Sequence, residues 1–587
     1  MFNRFADAPS ESSRQDTGVN TAEPPASKGG RSARWAWPAG LSVAAIVLFW
    51  CFLRFSGTYP SDTDGSDQAL QAWDMLHGNL LLHGWTIADV TYYTTELPQY
   101  AFIELIRGLA PDVEHIAAAS TYTLILLTAG LLARGRARGR EGLIRFVIAA
   151  GILLAPQFGN ATHLLLSQPD HFGTQLPLLL LYLVLDRAPR RWYVPVAAAV
   201  VLTWVVIADQ VALLDAVAPL ALVCGARALL GIIRRRSLAS QWYELSMVAA
   251  AAASYAAAAL AVRVISDLHG YQILPLATKR TLIADIPRHI VLTTEGILNI
   301  FGADFFHFSN GNFLGPDPGG QPRAVAVALA AVHLVGVALA VWGFFRAFRY
   351  FFDPGDLVSP VLATAIVVNV AAFVLSVIPI GVFDTREIMA VLPFGAVLAG
   401  RMVPGQLARV PRRLKPALAG ASAAVLVCYL AALGYGAAQP TLANTEQPIV
   451  PWLEAHHLST GLGTYAEANL ITLDSGGRVA VRTVSWQFGH DVPRNYESNT
   501  DWYNPRHTYA NFIVTNTADT TLNLDLSPRR SSMIPLPAIA ALHAGPPAHV
   551  YHYKTFTIMV WDHNLLDDLG GPPSTQPGEI PCTVQCI

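Results

Sequence analysis

Apolar residues along this chain gather into runs of roughly twenty, broken by short polar connections, and not into the short periods of water-facing helices or strands. Such runs lie near 35–55, 116–133, 143–160, 173–186, 193–209, 211–232, 243–265, 324–345, 358–381, 387–404 and 416–437. Each approaches the length that crosses a hydrocarbon core about 30 Å thick, so the pattern predicts an α-helical polytopic membrane protein with about eleven transmembrane helices. Pro156, Pro177, Pro219, Pro379 and Pro393 interrupt several runs, which lipid tolerates where neighbouring helices or water satisfy the freed backbone groups.

Two connections, 56–115 and 266–323, are too long for turns and carry helical periodicity. In the first, Ser66 is a candidate cap for a helix with Leu70, Trp73 and Leu76 on one face and Gly78 at its end; Pro98–Gly108 repeats the pattern with Phe102, Leu105 and Leu109. The second holds an amphipathic stretch at 286–301, preceded by Lys279 and Arg280 and containing Arg288. These helices are expected to lie flat on the membrane. Residues 1–34 are polar and rich in Ser, Arg, Gly and Pro, which predicts a disordered tail. From 438 to 587 the pattern changes to alternating segments such as RVAVRTVSW, TYANFIVTN and HVYHYKTFTIMVW, with a helix near 449–457. A soluble mixed α/β domain of about 150 residues is expected there, with Trp486, Trp502 and Tyr503 read as core rather than sugar-stacking residues.

Composition agrees with the runs: of 587 residues 53% are hydrophobic and only 14% charged, with mean hydropathy +0.38. The net charge of −2 conceals an asymmetry. Arg134, Arg136, Arg138 and Arg140, then Arg187, Arg190 and Arg191, Arg234–Arg236, Arg346 and Arg349, and Arg409, Arg412, Arg413 and Lys415 follow alternate runs. These connections are expected on the cytoplasmic side, which makes residues 1–34 cytoplasmic and sends both long connections and the C-terminal domain outside. Cys51, Cys224 and Cys428 fall inside apolar runs as small buried residues, whereas Cys582 and Cys586 are a candidate disulfide in the outer tail. No phosphate-binding loop or dinucleotide fingerprint is present, which leaves nothing in favour of ATP-driven transport or a nucleotide-sugar donor, and the basic clusters are explained by topology without nucleic acid.

The candidate chemistry begins just past the first run, in SDTDGSDQALQAWDMLHGNLLLHGW, where Asp62, Asp64 and Asp67 are closely spaced. Their bland reading is a helix start whose dipole they complement. Further outer candidates for acceptor or metal binding are Glu96 in YYTTELPQY, then His163, Asp170 and His171 in NATHLLLSQPDHFGTQ, and Asp209, which is costly if it faces lipid. No HExxH or comparably strong metal spacing occurs. Arg386 in DTREIMAVLPF opens a late run, where its bland reading is an interfacial anchor or a partner of Asp384.

These features resemble the GT-C class of membrane glycosyltransferases, which use polyprenyl-phosphate sugars: an acidic first outer loop running into a surface helix, a multi-span body, and a late Arg followed by Pro. In the aminoarabinose and protein-mannosyl branch an acidic pair precedes a helix of the form A-x-x-M-L-x-x-G, and DGSDQALQAWDMLHGN is similar, with Asp64 in the first acidic place and Gly65 in the second. DTREIMAVLPF is similar to the branch's R-Y-x-x-P sequence, with Glu387 where an aromatic is usual. The stretch through TTELPQY also resembles a family of actinobacterial membrane proteins with no assigned substrate. The resemblance covers residues 35–437 and implies a bacterial cytoplasmic-membrane enzyme with a polyprenyl-phosphate sugar donor and a glycan, lipid or protein acceptor. The DG sequence leaves open which of Asp62, Asp64 and Asp67 is the functional carboxylate and whether a divalent metal takes part.

Transfer of a sugar from a lipid phosphate requires a base that deprotonates the acceptor hydroxyl opposite the leaving group, and a carboxylate at the membrane surface suits an inverting displacement. Asp64 is the candidate base; Arg386, with Lys279, Arg280 and Arg288 behind it, is the candidate site for the leaving phosphate. The alternatives are a lipid or polysaccharide transporter, which needs many spans and intramembrane polar groups but no base beside an acceptor hydroxyl, and a noncatalytic envelope-assembly scaffold.

Overall fold

The structure, a computed structural model, describes residues 32–156, 160–235, 237–273, 279–305, 323–353, 355–407, 409–487, 490–493, 496–516 and 544–569. The chain divides into two units, Met1–Ile46 and Val47–Ile587. In the first, helix α1 (Ser32–Ser56) begins, with Val43 and Ile46 largely exposed, as suits a helix whose surroundings are lipid.

The second unit is mostly helical. Among the described residues seven helices are long and apolar enough to cross a membrane: Trp37–Ser56 (within α1), Asp112–Arg134, Leu213–Arg234, Ala239–Asp267, Val325–Phe348, Val358–Leu375 and Arg412–Ala438. The pair Val382–Ile388 and Val391–Leu407, bent by 56°, raises the number to eight if it is one span. Three of the expected runs fold as shorter helices, Gly139–Leu153, Gln175–Arg187 and Tyr193–Ala208, of 15, 13 and 16 residues. Tyr193–Ala208 stops where it does because Asp209 turns its own carboxylate onto the Val211 N–H at 2.8 Å, a local turn that competes with helix. The main core joins these helices through Tyr122, stacked on Phe172 at 5.4 Å, and Tyr182, edge-on to Phe394 at 5.9 Å. Close packing relies on small residues: a Cβ on Gly400 would lie 2.5 Å from the Arg145 carbonyl oxygen.

The first long connection contains helices α2 (Thr63–Leu76) and α3 (Glu96–Arg107), followed by α4 (Asp112–Arg134). The N-cap of α2 is Asp62 and not the expected Ser66, while Gly78, at φ +103°, ends it as anticipated. Helix α3 buries Leu97, Tyr100 and Ile103 and leaves Phe102, Leu105 and Ile106 exposed, an amphipathic arrangement suited to a membrane surface.

Beyond Gln447 the chain forms a six-stranded sheet in the order β5-β4-β3-β7-β9-β8. Its strands are β3 (Thr460–Gly463), β4 (Ala480–Gln487), β5 (His490–Pro493), β7 (Phe512–Asn516), β8 (His549–Tyr553) and β9 (Phe556–Val560). Strand β3 runs parallel to β4 and β7, and helix Tyr465–Asp474 makes the crossover from β3 to β4. A second sheet, in the order β2-β1-β6, joins three distant stretches: β1 (Trp85–Ile87) pairs in parallel with β2 (Gln272–Ile273) and antiparallel with β6 (Ser498–Asn499). Gly84 permits this junction, since it adopts φ +82° and a Cβ there would meet Asn499 Oδ1 at 2.6 Å.

Candidate active site

The site starts from the geometry of a helix N-terminus. Asp62 has extended backbone (φ −89°, ψ 152°), and its carboxylate accepts the Asp64 N–H at 3.3 Å, which fixes Asp64 in the first turn of α2. The Asp62 Oδ2 also lies 3.5 Å from His163 Nε2. Burial, reinforced by Asp64, pushes the Asp62 carboxyl up to about 7, and burial, with Arg386 nearby, brings the His163 imidazole down to about 4. The backbone N–H of Asp62 donates to Glu114 Oε1 of α4 at 2.9 Å. The Glu114 carboxyl lies over Gly65, where a Cβ would come within 2.5 Å of its Cδ. The space beside Asp64 that a second acidic side chain of the helix would enter is thus filled by a carboxyl from another helix.

Arg386 reaches the same point from the short helix Val382–Ile388. Asp384 caps that helix by accepting the N–H groups of Ile380 and Gly381 at 2.7 Å each. The guanidinium covers the Phe383 ring at 4.9 Å, and its Nη1 lies 3.4 Å from Asp64 Oδ2 and 3.8 Å from Asp170 Oδ2. The Arg386 and Asp64 side chains retain 29% and 35% exposure, so a substrate can reach the pair. Tyr92 donates its hydroxyl to Asp170 Oδ1. Burial works to raise the Asp170 carboxyl, but His171 and Arg386 prevail and hold it below the usual carboxylate range. Asp170 also adopts φ +42°, an uncommon conformation for a residue with a Cβ and one associated with functional sites.

His171 joins three carboxylates. Its Nδ1 is 3.0 Å from Asp209 Oδ2, and its Nε2 is 3.3 Å from Glu387 Oε1 and 3.9 Å from Asp170 Oδ1. Burial opposes the imidazolium, but Glu387, Asp209 and Asp170 raise the ring well above its ordinary value. Thr174 donates to Asp209 Oδ2 at 2.8 Å. Glu96 packs against Gly173, and burial pushes its carboxyl up to about 8. Among the described residues no group of three or more His, Cys, Asp or Glu side chains is arranged to hold a metal ion. Asp170, His171 and Asp209 contact one another, Arg386 and Glu387.

The α/β region supplies two residues to this centre: Tyr465 donates its hydroxyl toward Asp64 Oδ1 at 2.8 Å, and the same hydroxyl contacts Glu497 Oε2.

Of the candidates named from the sequence, the structure gathers Asp62, Asp64, Glu96, His163, Asp170, His171, Asp209 and Arg386. Asp67 is buried and accepts a hydrogen bond from Gln71. Lys279 and Arg280 are exposed in a segment that pairs with Ser376–Val377, and Arg288 donates to the Ile380 carbonyl at 3.1 Å. None of those three cations shares a described hydrogen bond or ion pair with Arg386 or Asp64. Trp502 and Tyr503 are half-buried, Trp502 packing edge-on against Trp85 at 4.9 Å and Tyr503 donating to the Thr483 carbonyl, while the Trp486 side chain lies outside the described residues. Cys582 and Cys586 lie outside the described residues, as do residues 1–31. Sequence reasoning missed Tyr92, Glu114, Tyr465 and Glu497; for Tyr92 its place in the YYTTELPQY run was an available signal.

No family model and no curated protein matches the chain. The chain is similar to solved membrane glycosyltransferases at low identity. For the oligosaccharyltransferase of Archaeoglobus fulgidus in the apo form, identity is 12% and the TM-score 0.44, over 83% of this chain and 71% of that one. For AglB of the same organism in complex with an inhibitory peptide and a dolichol-phosphate, the values are 12% and 0.43, over 87% and 72%. For ArnT from Cupriavidus metallidurans in the apo state they are 14% and 0.40, over 92% and 99%.

Proposed function

We propose that this protein is a membrane glycosyltransferase of GT-C type that moves a monosaccharide from a polyprenyl-phosphate donor to an acceptor on the outer face of the bacterial cytoplasmic membrane, with inversion. Both termini of the chemistry lie in one accessible pair: Asp64 is the base and Arg386 binds the donor phosphate. The described ion pairs of Arg386 engage Nη1, which leaves Nε–H and Nη2 to grip two phosphate oxygens in the planar fork that guanidinium offers. The acceptor oxygen attacks the anomeric carbon as the carbon–oxygen bond to phosphate breaks. The hydroxyl proton passes to Asp64, and the new phosphate charge falls on Arg386. Asp170, which accepts the Tyr92 hydroxyl, holds the same Nη1 of the guanidinium from 3.8 Å.

The observation that carries the reading is the Asp64–Arg386 contact at 3.4 Å with both groups still partly exposed. The orientation with the C-terminal 438–587 region outside belongs to the same proposal. The test is purified protein in liposomes given radiolabelled prenyl-phosphate sugars and an envelope extract. A new glycosidic product supports transfer, and movement of the labelled lipid across the bilayer without product selects a carrier instead.

A further inference from the structure

The two oxygens of Asp64 face different halves of the chain. Oδ2 is turned to Arg386, and Oδ1 to the phenol of Tyr465, 2.8 Å away. An in-line displacement places the leaving phosphate and the incoming oxygen on opposite sides of the anomeric carbon. If phosphate is bound from the Oδ2 side, the acceptor comes to Oδ1, and a hydroxyl already stands there. The Tyr465 oxygen is within hydrogen-bonding reach of both Asp64 and Glu497. Carboxylates only accept, so a pair of them around one point selects a group that donates, and an alcohol there makes the same hydrogen bond that the phenol now makes.

The position is built. Tyr465 opens the helix Tyr465–Asp474 directly after β3 and is half-buried. Glu497 is 6% exposed and adopts φ +50°, immediately before β6, whose Ser498 is paired with Thr86 of β1. The sheet that joins the α/β region to the first long connection thus holds Glu497 at the end of α2 where Asp64 lies.

We propose that the acceptor subsite is formed by the C-terminal α/β region, and that the acceptor hydroxyl takes the place of the Tyr465 phenol between Asp64 and Glu497. The ligand class is a hydroxyl-rich acceptor such as a glycan end or polyol, with the hydroxyl next to the reacting one reaching Glu497. This rests on Asp64 being the base. Tyr465 is a resident stand-in for substrate, and the acceptor must move it aside.

The test uses the full chain in liposomes, radiolabelled prenyl-phosphate sugar and a titrated envelope glycolipid extract as the hydroxyl source. Wild-type turnover with extract is the prerequisite, and its absence sinks the transferase reading and not this subsite. Given turnover, Tyr465→Phe removes the competing hydroxyl and lowers the half-saturating extract concentration about fivefold, whereas Glu497→Gln raises it by about the same factor. Half-saturation by the donor stays within about twofold for both. Opposite signs for the two variants are not produced by loosened structure. A rise or no change for Tyr465→Phe, or no change for Glu497→Gln, overturns the proposal, and Glu497→Gln alone decides it if Tyr465→Phe does not fold.

Discussion

Arg386 Nη1 lies 3.4 Å from Asp64 Oδ2, although 322 residues separate them along the chain. The contact is long for a hydrogen bond and its partners are partly exposed, so it contributes little to stability. Its value is positional: it sets a base and a phosphate-binding cation side by side at the end of α2.

Replacing the base without changing its size isolates the chemistry. Asp64→Asn is expected to lower the transfer rate by about 100- to 10,000-fold while donor binding and the melting temperature are retained. Single-turnover kinetics beside a thermal melt checks both, and turnover near wild type removes Asp64 from the role.

At Arg386 the geometry of the cation matters more than its charge. Arg386→Lys keeps the charge but loses the fork, and an increase in donor KM of about tenfold or more is expected, with a larger one for Arg386→Gln. Titration of the donor at saturating extract measures it.

Glu96 predicts a pH dependence of stability. Burial raises its carboxyl from its ordinary value of 4.5 to about 8, so across that interval the folded state holds a proton that the unfolded chain has released. The stabilisation is complete below the unfolded value and is lost as pH rises through the folded one. Glu96→Gln, which stays neutral, is expected to flatten the fall in melting temperature between about pH 5 and about pH 9. An unchanged pH slope would show that Glu96 is not the group responsible.

The contact between Gly65 and Glu114 makes a coupling prediction. Gly65→Ala places a methyl group 2.5 Å from the Glu114 carboxyl carbon and is expected to cost about 1–3 kcal/mol. In the double variant with Glu114→Ala much of that cost disappears, so a double-mutant cycle gives a coupling energy of clear sign. Simple additivity would disprove the clash.

At the other end of the helix Val391–Met402, Arg401, its side chain 9% exposed, lies between Asp186 at 2.8 Å and Asp356 at 3.1 Å. Arg401→Met leaves two carboxylates without their cation and is expected to destabilise the protein by about 3–5 kcal/mol without altering donor or acceptor KM of the folded fraction. Denaturation in detergent together with kinetics separates the two effects.

The helical body was legible because lipid selects apolar runs, and the early acidic cluster and Arg386 were legible because charge at a membrane boundary is costly without a reason. Lys279, Arg280 and Arg288 were grouped with Arg386 by charge alone. In the structure Val377 donates to the Lys279 carbonyl at 3.1 Å, Thr281 to that of Leu375 at 3.0 Å and Arg288 to that of Ile380 at 3.1 Å, which pairs these residues with the stretch leading into the Arg386 helix. The expected cap at Ser66 failed because Asp62, four residues earlier, already had extended backbone and a free carboxylate oxygen for the Asp64 N–H. Tyr465 and Glu497 left no local trace, since their position depends on β6 meeting β1 across more than 400 residues, and no window of sequence contains both partners.

Strand pairing has no half-steps. Side chains alternate from face to face, so inserting one residue between Gly84 and β1, or between Glu497 and β6, would turn the neighbouring side chains over and carry Glu497 away from Asp64. The chain can therefore vary in length elsewhere on its surface, but at the clasp of β1, β2 and β6 it must keep count.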